Sequence, residues 1–165
     1  MSSEYTFYVS IDQPHQLGEL FADLMQCQPV TNDFPDTWSF TGESCNVDVM
    51  QNLGPSFDDQ ERLIGAVPTA VILTPRKHLD WAEETALLRD FLSGAISLWK
   101  GEDDATGAIL ANDERLLAAK LPGSDIEVDH SLFDPDEYGQ TSAFETLPLP
   151  EGRSDLSGHW PLEEQ

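Results

Sequence analysis

The spacing of apolar residues changes several times along the chain. Tyr5, Phe7, Val9 and Ile11 alternate with Glu4, Thr6, Tyr8 and Ser10, the two-residue period of a strand with one face on a core. Leu17, Leu20, Phe21, Leu24 and Met25 then recur at three- and four-residue steps. That spacing places them on one stripe of a helix, which must pack on a sheet. Asp12 is positioned to cap this helix, and Pro14 falls near its first turn, where a missing N–H costs no helical hydrogen bond.

Beyond Pro29 and a turn-rich run from Thr31 to Asp36, Thr37–Thr41 and Ser44–Met50 read as two short strands around Gly42 and Glu43, most simply a hairpin. Residues 52–65 are polar and contain Gly54, Pro55, Asp58, Asp59 and Glu61, which predicts an exposed acidic loop. Val67–Thr74 is the most apolar strand and is expected near the sheet centre. Asp80–Trp99 carries the longest helical pattern, with Leu87, Leu88, Phe91, Leu92, Ala95 and Ile96 on one side. Gly94 weakens that helix by up to about 1 kcal/mol relative to alanine, and Gly101 is placed to end it. Ala105–Ala111 and Arg115–Leu121 flank a turn and predict a second hairpin, with a short strand at Ile126–Asp129 to follow.

Strand, helix, three strands, helix and two or three strands add up to an α+β fold. Consecutive hairpins favour a mainly antiparallel sheet of five to seven strands with both helices packed on one face. Apolar periodicity fades from His130 onward, so the chain divides into a single α+β domain over 1–130 and an irregular acidic C-terminal arm over 131–165.

Charge alters the functional outlook more than any motif. The 165 residues hold 31 acidic against 8 basic side chains, a formal charge of −23. Eleven acidic residues precede Arg62, the first basic one, and only Arg153 is basic after Lys120. Such a field repels phosphate, which excludes direct nucleic-acid or anionic-membrane binding, and self-repulsion makes folding sensitive to salt. A generally acidic, halophile-like proteome would give the same composition. No apolar run approaches the length that spans a bilayer, and no signal peptide is evident, so the expected location is the cytoplasm.

Candidate chemistry is sparse. His15, His78, His130 and His159 fit no metal spacing, no serine lies in a nucleophile elbow, and no glycine-rich phosphate loop occurs. Cys27 and Cys45 lack CxxC spacing and lie in apolar surroundings, which reads as two buried reduced thiols, with a disulfide or metal pair as the minority alternative. DPDEYGQTSAFE, from Asp134 to Glu145, places carboxylates at positions 1, 3 and 12 and Gly139 at position 6 of an EF-hand-like loop. Tyr138 at a ligand position, Thr141 at an apolar one and the absence of flanking helices favour a carboxylate-rich turn instead. No metal, cofactor or catalytic residue is therefore expected, and the chain reads as a non-enzyme.

The opening strand EYTFYVSI, the stretch AVPTAVILTPRKHLD before the long helix, and DDATGAILANDERLLAAKL resemble the Sit-type immunity proteins of bacterial polymorphic toxin systems. The likeness spans residues 4–129. The family's frequent basic residue in the leucine-rich hairpin arm is matched only loosely by Arg115 or Lys120, and the C-terminal arm has no counterpart. The resemblance implies a small cytoplasmic protein that binds and neutralises a cognate toxin. Dense negative charge suits a basic toxin such as a nuclease. The expected contact residues are Asp58, Asp59 and Glu61 in the first acidic loop, and Asp134, Asp136, Glu137 and Tyr138 in the second. The charge alone is also compatible with an acidic nucleic-acid mimic or a regulatory adaptor, and the abundance of carboxylates with a hydrolase.

Overall fold

The computed structural model describes residues 3–31, 34–51, 69–112, 115–121, 123–133, 144, 147, 153–154 and 156. In chain order the elements are β1 (Tyr5–Val9), α1 (Pro14–Leu24), β2 (Gln28–Val30), β3 (Thr37–Thr41), β4 (Cys45–Gln51) and β5 (Thr69–Pro75). There follow α2 (Trp81–Gly101), β6 (Gly107–Ala111), β7 (Arg115–Lys120), β8 (Glu127–Asp129), a 3-10 turn at His130–Phe133 and β9 (Arg153–Ser154). One sheet holds all the strands in the order β2-β3-β4-β5-β1-β6-β7-β8-β9. Eight of them are joined antiparallel, and β9 pairs parallel with β8.

The α+β architecture is as the hydrophobic pattern predicts, but the sheet is wider than five to seven strands. The additions are small: β2 has three residues and β9 two, too few for any periodicity to register. Residues 52–65 of the predicted acidic loop lie outside the described residues, as does the EF-hand-like stretch apart from Phe144. No helix among the described residues is long and apolar enough to cross a membrane.

The first strand in the chain lies in the middle of the sheet. Phe7 of β1 faces Val71 of β5 on one side and Ile109 of β6 on the other. Tyr5, Phe7 and Val9 enter the main core with the buried residues of both helices. Thr6 and Tyr8 were expected on a polar face, yet both are buried. Tyr8 joins a second apolar cluster on the back of the sheet with Ala70, Ala108, Leu110, Leu116, Ala119 and Leu156. The back face is thus covered at its centre by residues that include one from the C-terminal segment, 148 positions from Tyr8. Phe133, Phe144 and Leu147 of that same segment enter the main core.

The core face centres on aromatic contacts. Phe7 meets Trp99 edge-on at 5.2 Å and Phe21 at 5.9 Å, and Phe21 meets Phe91 at 5.3 Å. All four side chains are at most 1% exposed, and truncating any of them to alanine would cost roughly 3–5 kcal/mol.

Helix α2 begins as its sequence dictates. Asp80 accepts from the Glu83 backbone N–H while the Glu83 side chain accepts from the Asp80 N–H, closing a capping box. Helix α1 differs from expectation. Its N-cap is Gln13, without a side-chain cap bond, because the Asp12 carboxylate is taken by the Gln51 amide at 2.6 Å. Its stripe also splits: Leu17, Phe21 and Met25 are buried, but Leu20 and Leu24 are each 42% exposed. Gly94 explains itself in the same region. A Cβ there would lie 2.6 Å from Leu24 Cδ2 and 3.1 Å from Phe21 Cε1, so the helix-weakening residue is what lets α1 and α2 approach.

Candidate partner-binding groove

At the end of α1 the chain reverses over Met25–Cys27, with Gln26 in the left-handed region at φ 58°. It returns as β2 along β3, with Val30 opposite Ser39. Between α1 and this outer wall lies an open groove of about 570 Å³. Glu19 and Asp23 line it from α1, Val30 and Phe34 from the wall, and Trp38 and Phe40 from β3. Phe34 is 73% exposed and Val30 44%, an unusual outlay of large apolar side chains in one place.

The lining contains no lysine or arginine among the described residues. Its one basic candidate, His15, lies 3.1 Å from Glu19 one helical turn away, with both side chains about two-thirds exposed (66% and 65%). Such a pair contributes only a few tenths of a kcal/mol. The setting extends the acidic character. Everything before Arg62 lacks lysine and arginine, and α1, β2, β3 and β4, which all come from that stretch, form one flank of the sheet. Asp12, Glu19, Asp23, Glu43 and Asp48 of that stretch fall in the described residues. Arg76 reaches this flank from the end of β5, but its guanidinium donates to Thr41 Oγ1 at 2.7 Å and to the Gly42 carbonyl at 3.0 Å. It fastens the β3–β4 turn.

Comparison of the chain with protein-family models, curated proteins and solved structures finds no match.

The opposite flank treats its charges differently. Asp129 of β8 is 4% exposed. It accepts from the Leu156 backbone N–H at 3.1 Å, from Arg115 Nη2 at 3.4 Å and from the Ser131 hydroxyl, which Arg115 also contacts. Burial pushes this carboxyl up, but the hydrogen bonds from Ser131, Leu156 and Arg115 together hold it below the ordinary carboxylate range. Lys120, also buried, donates to the Asp103 and Ala105 carbonyls at 2.6 Å each. These charges are spent inside the protein.

A second cleft of about 570 Å³ runs between α1 and α2, lined by Leu20, Leu24, Leu98 and Glu102, with Asp23 shared between it and the groove. Among the described residues no three His, Cys, Asp or Glu side chains group to hold a metal ion.

The contact residues expected from sequence, Asp58, Asp59, Glu61, Asp134, Asp136, Glu137 and Tyr138, all lie outside the described residues. The groove residues Glu19, Asp23, Val30, Phe34 and Trp38 were not anticipated. One signal was present in the sequence: Phe34 is an aromatic residue inside the polar, turn-rich run from Thr31 to Asp36.

Proposed function

We propose that this chain is an immunity-type binding protein that neutralises a basic protein toxin in the cytoplasm. The acidic flank meets the toxin and the groove beside α1 gives it a foothold. The observation that carries this reading is the coincidence of exposed Phe34 and Val30 with Glu19 and Asp23 in a concavity whose described lining residues include no lysine or arginine. Unbalanced carboxylates raise the rate of encounter with a cationic partner, to as much as about 10⁸–10⁹ M⁻¹s⁻¹ at low salt. Apolar anchors then lengthen the complex's life. The resemblance of the opening strand and the second hairpin to Sit-type immunity proteins supports the same reading.

Pro29 narrows the mode of contact. It sits in the middle of β2, the terminal strand, and supplies no N–H, which makes this edge a poor template for an added strand. The partner is therefore held by side chains: an arginine or lysine beside Glu19 and Asp23, and an apolar residue against Trp38 and Phe34. A nucleic-acid mimic needs carboxylates at phosphate-like spacing on a convex surface, whereas this acidic site is concave and has aromatic rings in its lining.

The test is co-expression with the protein encoded by the adjacent reading frame. Growth rescued by the wild-type chain and lost with Glu19→Lys/Asp23→Lys is the expected result. Full rescue by the double variant would remove the groove from the interface, and failure of the wild type to rescue would remove the function itself.

A further inference from the structure

The chain's two cysteines, 18 positions apart in sequence, touch in the fold: Cys27 Sγ and Cys45 Sγ are 3.8 Å apart. They belong to segments separated by a strand, since Cys27 leads into β2 and Cys45 opens β4, with β3 between. They meet across the end of β3, where Gly42 leaves room. A Cβ on Gly42 would come within 2.8 Å of the Gln26 carbonyl oxygen and 3.1 Å of Cys27 Sγ. Both thiols are reduced and buried, and besides each other they have long contacts to the Met25 and Cys45 carbonyls. They are not equally accessible. Cys45 is 0% exposed, while Cys27 is 5% exposed and lines the groove beside Phe40.

We infer that Cys27 and Cys45 form a redox modification site: Cys27 takes the oxidant from the groove, Cys45 resolves it, and the resulting disulfide staples the groove's outer wall to β4. The loop closed by that bond runs from 27 to 45 and carries β2, Phe34 and all of β3. The groove's outer wall and its β3 lining therefore lie within it, while its α1 wall lies outside. Further features favour the same order of events. The hydrogen bond from Cys45 lowers the Cys27 thiol below its ordinary range against the effect of burial, with help from the Arg76 guanidinium. The same contact and burial push Cys45 up.

With a low-molecular-weight disulfide such as oxidised glutathione, the Cys27 thiolate attacks one sulfur and expels a glutathione thiolate, which takes up the proton Cys27 released. Cys45 then attacks the Cys27 sulfur, its proton passing to the second glutathione as that leaves. Two protein thiols become one disulfide, and one oxidised glutathione becomes two reduced molecules. This chemistry does not depend on the identity of any partner.

The test exposes the folded full chain to oxidised glutathione and follows intact mass and thiol count. The expected wild-type product is free of glutathione, lighter by two hydrogens, restored by dithiothreitol and melting about 5–10 °C higher than the reduced form. Cys45→Ala should trap glutathione on Cys27, and Cys27→Ala should stay unmodified while folded. The site is refuted if the folded wild type keeps both thiols under conditions that oxidise the urea-unfolded chain. Faster modification of Cys45 in Cys27→Ala than of Cys27 in Cys45→Ala would overturn the assigned order. Should either variant fail to fold, the wild-type measurement still decides whether the site exists.

Discussion

The two flanks of the sheet differ in what they do with polar groups. On the β7–β9 side, Arg115, Lys120 and Asp129 are bonded to one another or to backbone carbonyls and amides, and Asp129 ties down the segment that brings Leu156 onto the back of the sheet. On the α1–β2–β3 side, Glu19 and Asp23 line an open groove, and large apolar side chains face solvent beside them. Charges satisfied within the fold act on stability, whereas charges left facing solvent cost little to alter and remain available to a partner.

Asp129→Ala probes the internal flank most severely. It leaves the buried Leu156 N–H without its acceptor and Arg115 without its carboxylate, and should lower the unfolding free energy by about 2–4 kcal/mol, read by urea denaturation. Lys120→Met keeps the aliphatic stem but removes both donors to the Asp103 and Ala105 carbonyls, with an expected cost of about 1–3 kcal/mol. On the groove side, Glu19→Lys/Asp23→Lys should change unfolding free energy by less than about 0.5 kcal/mol. The same change should weaken association with a basic partner at least about tenfold, measured by titration at low salt. Stability losses of equal size on both flanks would erase the contrast.

Acid sharpens the comparison with a smaller effect. The Asp129 carboxyl lies lower in the folded than in the unfolded chain. Its stabilising contribution is therefore complete above the unfolded value of about 3.9 and is lost as pH falls below that toward the folded one. The wild type should accordingly lose more stability than Asp129→Asn over this interval, as followed by thermal melting. A parallel decline in the two proteins would dissociate the shift from folding. The gentlest probe is salt. Raising ionic strength should increase the melting temperature by screening the −23 charge, and should slow partner association.

Helices and hairpins were legible from sequence because their signals are local. The 3.6-residue stripe of α2, its Asp80–Glu83 box and the turns between β3 and β4 and between β6 and β7 need no distant partner to be recognised. What escaped depends on distance. Thr6 and Tyr8 looked solvent-facing by alternation, but the cover over their face includes Leu156, and no window around residue 8 contains that information. The groove escaped for a related reason. Its outer wall is β2, which has proline at its centre and no strand signature; at the separate α1–α2 cleft, Leu20 and Leu24 fit the apolar stripe yet are 42% exposed. The thiol contact needed both the turn after α1 and the bare backbone of Gly42.

The place of β1 has a consequence for biosynthesis. It leaves the ribosome before the other strands of this sheet, but Ile109, which it pairs with on one side, follows Phe7 by 102 residues. At elongation rates of about 5–20 residues per second, β1 waits roughly 5–20 seconds for that neighbour. During that interval the nascent chain exposes a strand that is buried on both faces once folded. The run of carboxylates emitted over the same interval, unbroken by any lysine or arginine before Arg62, would keep neighbouring nascent chains apart until the sheet can close around its centre.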